Sequence, residues 1–304
     1  MKLDGLHHLT MITGDAQRNV DFYTGLLGLR FVKKTVNFDA PEAYHLYFGD
    51  ELGSPGTILT WFEFAGARPG QARPGMIHTI ELGVESERAL DFWEGRLGDA
   101  GYGAERGEGS LRFVDYDGLA FELAIADQGN APLRAVDPEI PEDCAIGGVE
   151  GVRAYHHGEP QSDRELLMET LGFTERGEGA YLVDGPTRKF RYSYDAPIGA
   201  GVPGAGSVHH IAWHSADEDH DRWRLRVGEA GQHVTPVIDR DYFHSIYFRE
   251  PQGVLFEIAT TSPGFAVDEE PEHLGEELRL PAQHEHLRAQ LEQMLLPLGN
   301  PRVH

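Results

Sequence analysis

The stretch "GLHHLTMITGD", residues 5–15, sets two histidines beside an alternating apolar run that ends at a helix start. The pleat of a strand sends adjacent side chains to opposite faces, so a tandem pair is an odd thing to place there. With 16 His in 304 residues, roughly 16×16/304, or about 0.8, adjacent pairs are expected by chance. The pair gains meaning because its context recurs as "SVHHIAWHSAD", residues 207–217.

Working outward from these two stretches, one pattern repeats four times: an alternating strand, a short amphipathic helix with a glycine stop, then short strands. In the first copy Asp15 is the helix N-cap, Val20, Tyr23 and Leu27 fall at helical spacing, Gly28 is the stop, and "YHLYFGD" and "GTILTWFEF" follow as strands. The second begins at "GMIHTIELGV", carries Leu90, Trp93 and Leu97 before Gly98, and closes with "GLAFELAIA". The third and weakest starts near "GVEGVRAYHHG", and the fourth runs from "SVHHIAWHS" to "SIYFREPQGVLFEIATT". The expected fold is therefore α+β, four βαβββ modules in two halves. The segment "DQGNAPLRAVDPEIPEDCAIGG", rich in Pro and acidic residues, reads as the connection, dividing the chain into residues 1–145, 146–262 and a tail, 263–304. A terminal helix is expected at about 282–296, with Leu287, Leu291 and Leu295 on one face.

Aligning the modules places His8, His78 and His210 at one point of the first strand, with Gly151 in the third copy. The closing strands align on Gly-x-x-x-Glu, giving Glu122 and Glu257, with Thr60 in the first copy. His8, His210 and Glu257 together would form a two-histidine, one-carboxylate facial triad, whose open positions suit iron(II) best, with manganese(II) close behind. A closed four-ligand zinc site would need another ligand where Thr60 stands. Taken alone, each of these histidines would be an ordinary core or surface residue, and Glu257 the end of a strand. Their coincidence in a repeat, and a carboxylate on the apolar strand "VLFEIAT", favour a metal.

Composition narrows the partners. Fifty Asp+Glu against 26 Lys+Arg give a formal charge of −24, which repels nucleic acid and anionic membranes. No run of about 18 apolar residues and no signal-type h-region occurs, so a cytoplasmic protein is expected, and a homo-oligomer is compatible with this composition. The single cysteine, Cys144, excludes an intrachain disulfide and a cysteine metal cluster. His156–His157 and the tail histidines His284 and His286 read as solvated, and the glycines of residues 199–206 lack a nucleotide-loop context.

"LHHLTMITGDAQRNVDFYTGLLGLRFVKKTVNFD", "YHLYFGDELGSPGT", "VHHIAWH" and "DRDYFHSIYFREPQGVLFEIAT" resemble the ring-cleaving dioxygenases of the vicinal oxygen chelate superfamily, nearest the hydroquinone and chlorohydroquinone branch. The resemblance spans about residues 3–280. It implies Fe(II) held by His8, His210 and Glu257, a small aromatic substrate of hydroquinone or catechol type, and O₂ as co-substrate. It also implies surrounding roles for His7, His209, Thr10, Arg240 and Tyr247, with His209, Tyr247 and His7 as candidates for proton transfer and Arg240 for offsetting negative charge. The same scaffold serves glyoxalase-type isomerases and proteins that only sequester a small molecule, so the fold leaves these alternatives open.

Overall fold

The computed structural model describes residues 1–158 and 163–302; residues 159–162, inside the third module, and 303–304, ending the tail, lie outside the described part. The first module is β1 (Leu6–Thr13), α1 (Ala16–Val20), β2 (Arg30–Val36), β3 (Tyr44–Gly49) and β4 (Ile58–Glu63). Asp15 caps α1 by accepting the Arg18 N–H at 3.0 Å, and the helix widens into a π turn over Asp21–Leu26. Gly28 ends it at φ 70°, where a Cβ would fall 2.2 Å from the Ile140 side chain. The second module is β5 (Ile77–Val84), α2 (Glu87–Asp99), β6 (Ala104–Gly107), β7 (Ser110–Val114) and β8 (Ala120–Ile125). α2 runs one residue past Gly98, and Leu90, Trp93 and Leu97 form its buried stripe. The third is β9 (Val149–Tyr155), a π turn over Leu166–Thr170, β10 (Thr174–Gly177), β11 (Ala180–Asp184) and β12 (Lys189–Asp195). The fourth is β13 (Val208–Ser215), α3 (His220–Glu229), β14 (Ile238–Asp239), β15 (His244–Arg249) and β16 (Leu255–Thr260).

The α+β architecture of four βαβββ modules is thus present, as two eight-stranded sheets ordered β14-β15-β16-β13-β1-β4-β3-β2 and β10-β11-β12-β9-β5-β8-β7-β6. The first sheet joins modules one and four, the second modules two and three, so each sheet takes one module from each half of the repeat. Residue 145 lies on the connection between β8 and β9, within the module pair of the second sheet. Apolar faces of the sheets and helices meet around Trp61, Trp93, Trp213 and Trp223, all fully buried, each contributing about 2–3 kcal/mol by removal from water.

At the seam between modules one and four, β1 and β13 are antiparallel and irregular twice. Leu6 pairs with Trp213 and His8 with Ala212, leaving His7 as an extra residue; Thr10 pairs with His210 and Met11 with Val208, leaving His209 extra. Each is a β-bulge, two residues facing one, which redirects side chains that a flat pleat would send apart. The second sheet repeats the device: Ile77 pairs with Ala154 and Thr79 with Arg153, leaving His78 extra, and Glu81 pairs with Gly151 and Leu82 with Val149, leaving Glu150 extra. This register corrects the expected alignment. His78 matches the bulged His7, and the residue at the His8 position is Thr79. Alternation alone could not show it, because a bulge shifts the count by one.

The tail crosses module one. Lys33, fully buried, reaches Asp268 at 2.6 Å and also bonds Glu269. The expected terminal helix divides: Ala282–Leu287 is a 3₁₀ segment and only α4 (Arg288–Met294) is α-helical. His284 is half-buried rather than fully solvated, because it and Gln283 each donate from Nε2 to the Phe38 carbonyl at 2.8 Å. These tertiary bonds hold the segment in the tighter 3₁₀ form.

Candidate metal centre and active-site cavity

β1, β13 and β16 bring His8, His210 and Glu257 together, with one donor atom of each inside a 4.8 Å group, all three residues buried. The separations are 3.3 Å between the two Nε2 atoms, 3.4 Å from His8 Nε2 to Glu257 Oε2 and 2.9 Å from His210 Nε2 to the same oxygen. The other nitrogens explain why these atoms face each other. His8 Nδ1 lies 2.8 Å from His7 Nδ1, and His210 Nδ1 lies 2.7 Å from His209 Nδ1. With each Nδ1 engaged by the preceding histidine, two Nε2 atoms and a carboxylate oxygen converge, and in the tautomer that keeps the protons on Nδ1 both Nε2 lone pairs are open to a cation. A donor set of that kind fits a cation, and hard-soft preferences point to a divalent first-row metal. The histidine pair of the opening stretch is thereby explained: the second member supplies the inward nitrogen, and the first, on the bulge, orients it.

The surroundings hold this charge state. Burial pushes the His7 imidazole well below its ordinary range, with His8 adding to the effect, and His7 packs against Phe243 at 4.9 Å. Burial acts likewise on His210. Burial, His210 and Arg249, in that order, push His209 down to about 4. Burial alone would raise the Glu257 carboxyl, but His8 and His210 hold it well below the usual carboxylate range. Ser245 Oγ donates to its second oxygen.

Beside the triad lies a cavity of about 490 Å³ lined by His8, Thr10, His45, Phe62, Arg240 and Tyr247, among others. On one wall Arg240 Nε donates to the Tyr247 hydroxyl at 3.2 Å, its Nη1 meets Asp39 at 3.3 Å, and its guanidinium lies over the rings of Phe38 and Tyr247, 5.3 Å from each. Burial raises the Tyr247 hydroxyl, which stays protonated at neutral pH. On the opposite wall runs a hydrogen-bonded row that sequence reading missed: Tyr47 to His45, His45 to Thr60 and Thr60 to Thr10, each at 2.9 Å. The period-two placement of His45 and Tyr47 in "YHLYFGD" was the available signal. Thr60, where a further carboxylate would close the site, is committed to this row.

The second sheet lacks such a centre. The residues at the positions of His8, His210 and Glu257 are Thr79, Gly151 and Ser193. The mimics are tied into ion pairs, His78 with Asp195 at 3.0 Å and Glu122 with Arg112 at 2.9 Å.

The family model for the Glyoxalase/Bleomycin resistance protein/Dioxygenase superfamily matches residues 5–258. The chain belongs to this superfamily. Its similarities extend over nearly the full length: 43% identity across 97% of both chains with "Putative ring-cleaving dioxygenase MhqO" of Bacillus subtilis (strain 168), and 33% identity across 99% of this chain and 98% of the other with chlorohydroquinone/hydroquinone 1,2-dioxygenase of Sphingobium indicum. A crystal structure of a Bacillus subtilis protein titled as a dioxygenase superposes with TM-score 0.89 at 41% identity, covering 99% of each chain. Glyoxalase I from Zea mays, TM-score 0.58 at 14% identity over 85% of this chain and 92% of the other, shares the superfamily fold alone. Among the described residues no helix is long and apolar enough to cross a membrane.

Proposed function

We propose that this protein is an Fe(II)-dependent dioxygenase that opens the ring of a hydroquinone-like aromatic with both atoms of O₂, acting in the cytoplasm. The observation carrying this reading is the convergence of ligating atoms from His8, His210 and Glu257 beside an aromatic-lined cavity whose fourth strand position is a threonine. His8, His210 and Glu257 would hold the metal, which supplies a Lewis-acid centre where a deprotonated hydroxyl and O₂ meet. Every other part is the chain's own. Phe62 and Phe243 line the cavity and offer apolar faces to a flat ring. Tyr247, kept protonated by burial, donates to an oxygen of the reacting substrate. Arg240, fixed between Phe38 and Tyr247, offsets negative charge as it develops. His209 lines the cavity, and with Nδ1 accepting from His210 its own proton sits on Nε2, a donor for an oxygen of the substrate. The name of one relative, chlorohydroquinone/hydroquinone 1,2-dioxygenase, supports a hydroquinone over a catechol.

The test is metal analysis of anaerobically purified protein followed by O₂ uptake with hydroquinone and with catechol. The expected result is about one iron per chain and uptake faster with hydroquinone. Iron-loaded protein that consumes no O₂ with either ring would overturn the reading.

A further inference from the structure

A second cavity, about 700 Å³, adjoins the first and shares His209, His210 and Leu255 with it. Its chemistry is different. No carboxylate and no aromatic carbocycle lines it among the described residues, although the chain carries 50 Asp+Glu. Instead Arg73, Arg249, His157 and the partition residue His209 present cationic or donor groups. Neither arginine has an ion-pair partner among the described residues, although 15 arginines elsewhere in this acidic chain do. Arg73 is exposed with no side-chain bond of its own, and Arg249, also exposed, spends one Nη1 contact on the Gly253 carbonyl at 2.8 Å. Two guanidiniums without ion-pair partners, facing a cavity that no carboxylate lines among the described residues, form a favourable site for an anion.

We propose that this second cavity binds the carboxylate of the ring-opened product, held by Arg73 and Arg249 behind the His209–His210 partition. The inference rests on the ring-cleavage reading for the identity of the anion. Insertion of both O₂ atoms across one ring carbon–carbon bond breaks that bond. The hydroxyl-bearing carbon becomes a carboxylic acid and its unsubstituted neighbour an aldehyde, and O₂ is the sole oxidant with no added reductant. A neutral substrate thus yields a carboxylate at neutral pH. The aromatic-walled cavity suits the former, and the arginine-lined cavity attracts the latter.

Sorbate, a six-carbon conjugated monocarboxylate, is the probe, and hexa-2,4-dien-1-ol is its uncharged counterpart. Calorimetric titration of the wild-type protein is compared with Arg73→Gln/Arg249→Gln, whose exposed positions spare the fold, and with Arg240→Gln. Sorbate affinity is expected to fall at least fivefold in the double variant and to weaken with added salt, while hexadienol binding stays the same in both proteins. No sorbate binding by the wild type, equal affinity in the double variant, or loss confined to Arg240→Gln would overturn the site. The assay needs neither O₂ nor turnover, so an arginine-dependent sorbate site in a protein without ring cleavage would sink the functional reading and leave the anion site standing.

Discussion

His8 and His210 confront each other across the β1–β13 seam with Nε2 atoms 3.3 Å apart, and each is steered there by the bulged histidine that precedes it. The facing pair and the Glu257 carboxylate thereby offer three ligating atoms at one point, a set that could hold a metal ion.

Glu257→Ala removes the anionic member of the group and leaves two neutral imidazoles. Iron content is expected to drop below about a tenth of an atom per chain by elemental analysis. Stoichiometric iron with near-normal turnover would reassign the site.

Tyr247→Phe keeps the ring that packs beside His210, 5.8 Å between centroids, and deletes the hydroxyl that meets Arg240. Iron should remain, and kcat should fall about tenfold or more. Unchanged kinetics would take Tyr247 out of the chemistry.

His78→Ala with Glu122→Ala breaks two ion pairs of the second sheet but touches no residue at the His8 seam. That protein should keep its iron, whereas His8→Ala with His210→Ala should lose it. The opposite pattern in metal content would move the centre to the second sheet.

Gln283→Ala with His284→Ala frees the Phe38 carbonyl, and with it the wall on which Arg240 rests. Two lost hydrogen bonds weaken that wall by on the order of 1–2 kcal/mol. KM is expected to rise roughly fivefold at unchanged iron content. If KM and kcat both match the wild type, the tail does no positioning.

Glu250 gives a pH signature. Burial, acting against the backbone N–H groups of Gln252 and Val254, pushes its carboxyl from 4.5 up to about 8. The native state therefore keeps this proton over a window in which the unfolded chain has lost it, so the contribution of Glu250 to stability is fully present below 4.5 and is lost as pH rises toward 8, by on the order of a few kcal/mol. Glu250→Gln cannot titrate, and the stability gap between wild type and variant in urea unfolding should shift in the variant's favour from pH 5 to pH 8. Parallel curves would mean the carboxyl is ionised throughout.

Along the chain alone, the four-module repeat, the helix cap at Asp15, the stop at Gly28 and the candidacy of His8, His210 and Glu257 are legible, because each is a local signal: periodicity, a capping side chain, a glycine with no Cβ, a motif recurring in equivalent strands. It also carried the family resemblance. Tertiary structure decided what depends on pairing between distant strands. The bulges at His7, His209 and His78 exist only in the register of β1 with β13 and of β5 with β9, so the one-residue difference between His78 and Thr79 could not be read along the chain. The row Tyr47–His45–Thr60–Thr10 forms because β3, β4 and β1 lie side by side, and His284 is drawn from solvent by a carbonyl 246 residues away in sequence. Local preferences choose elements, but the direction a buried polar side chain takes is set by the partners that relieve its desolvation, and those partners are assembled only by the fold.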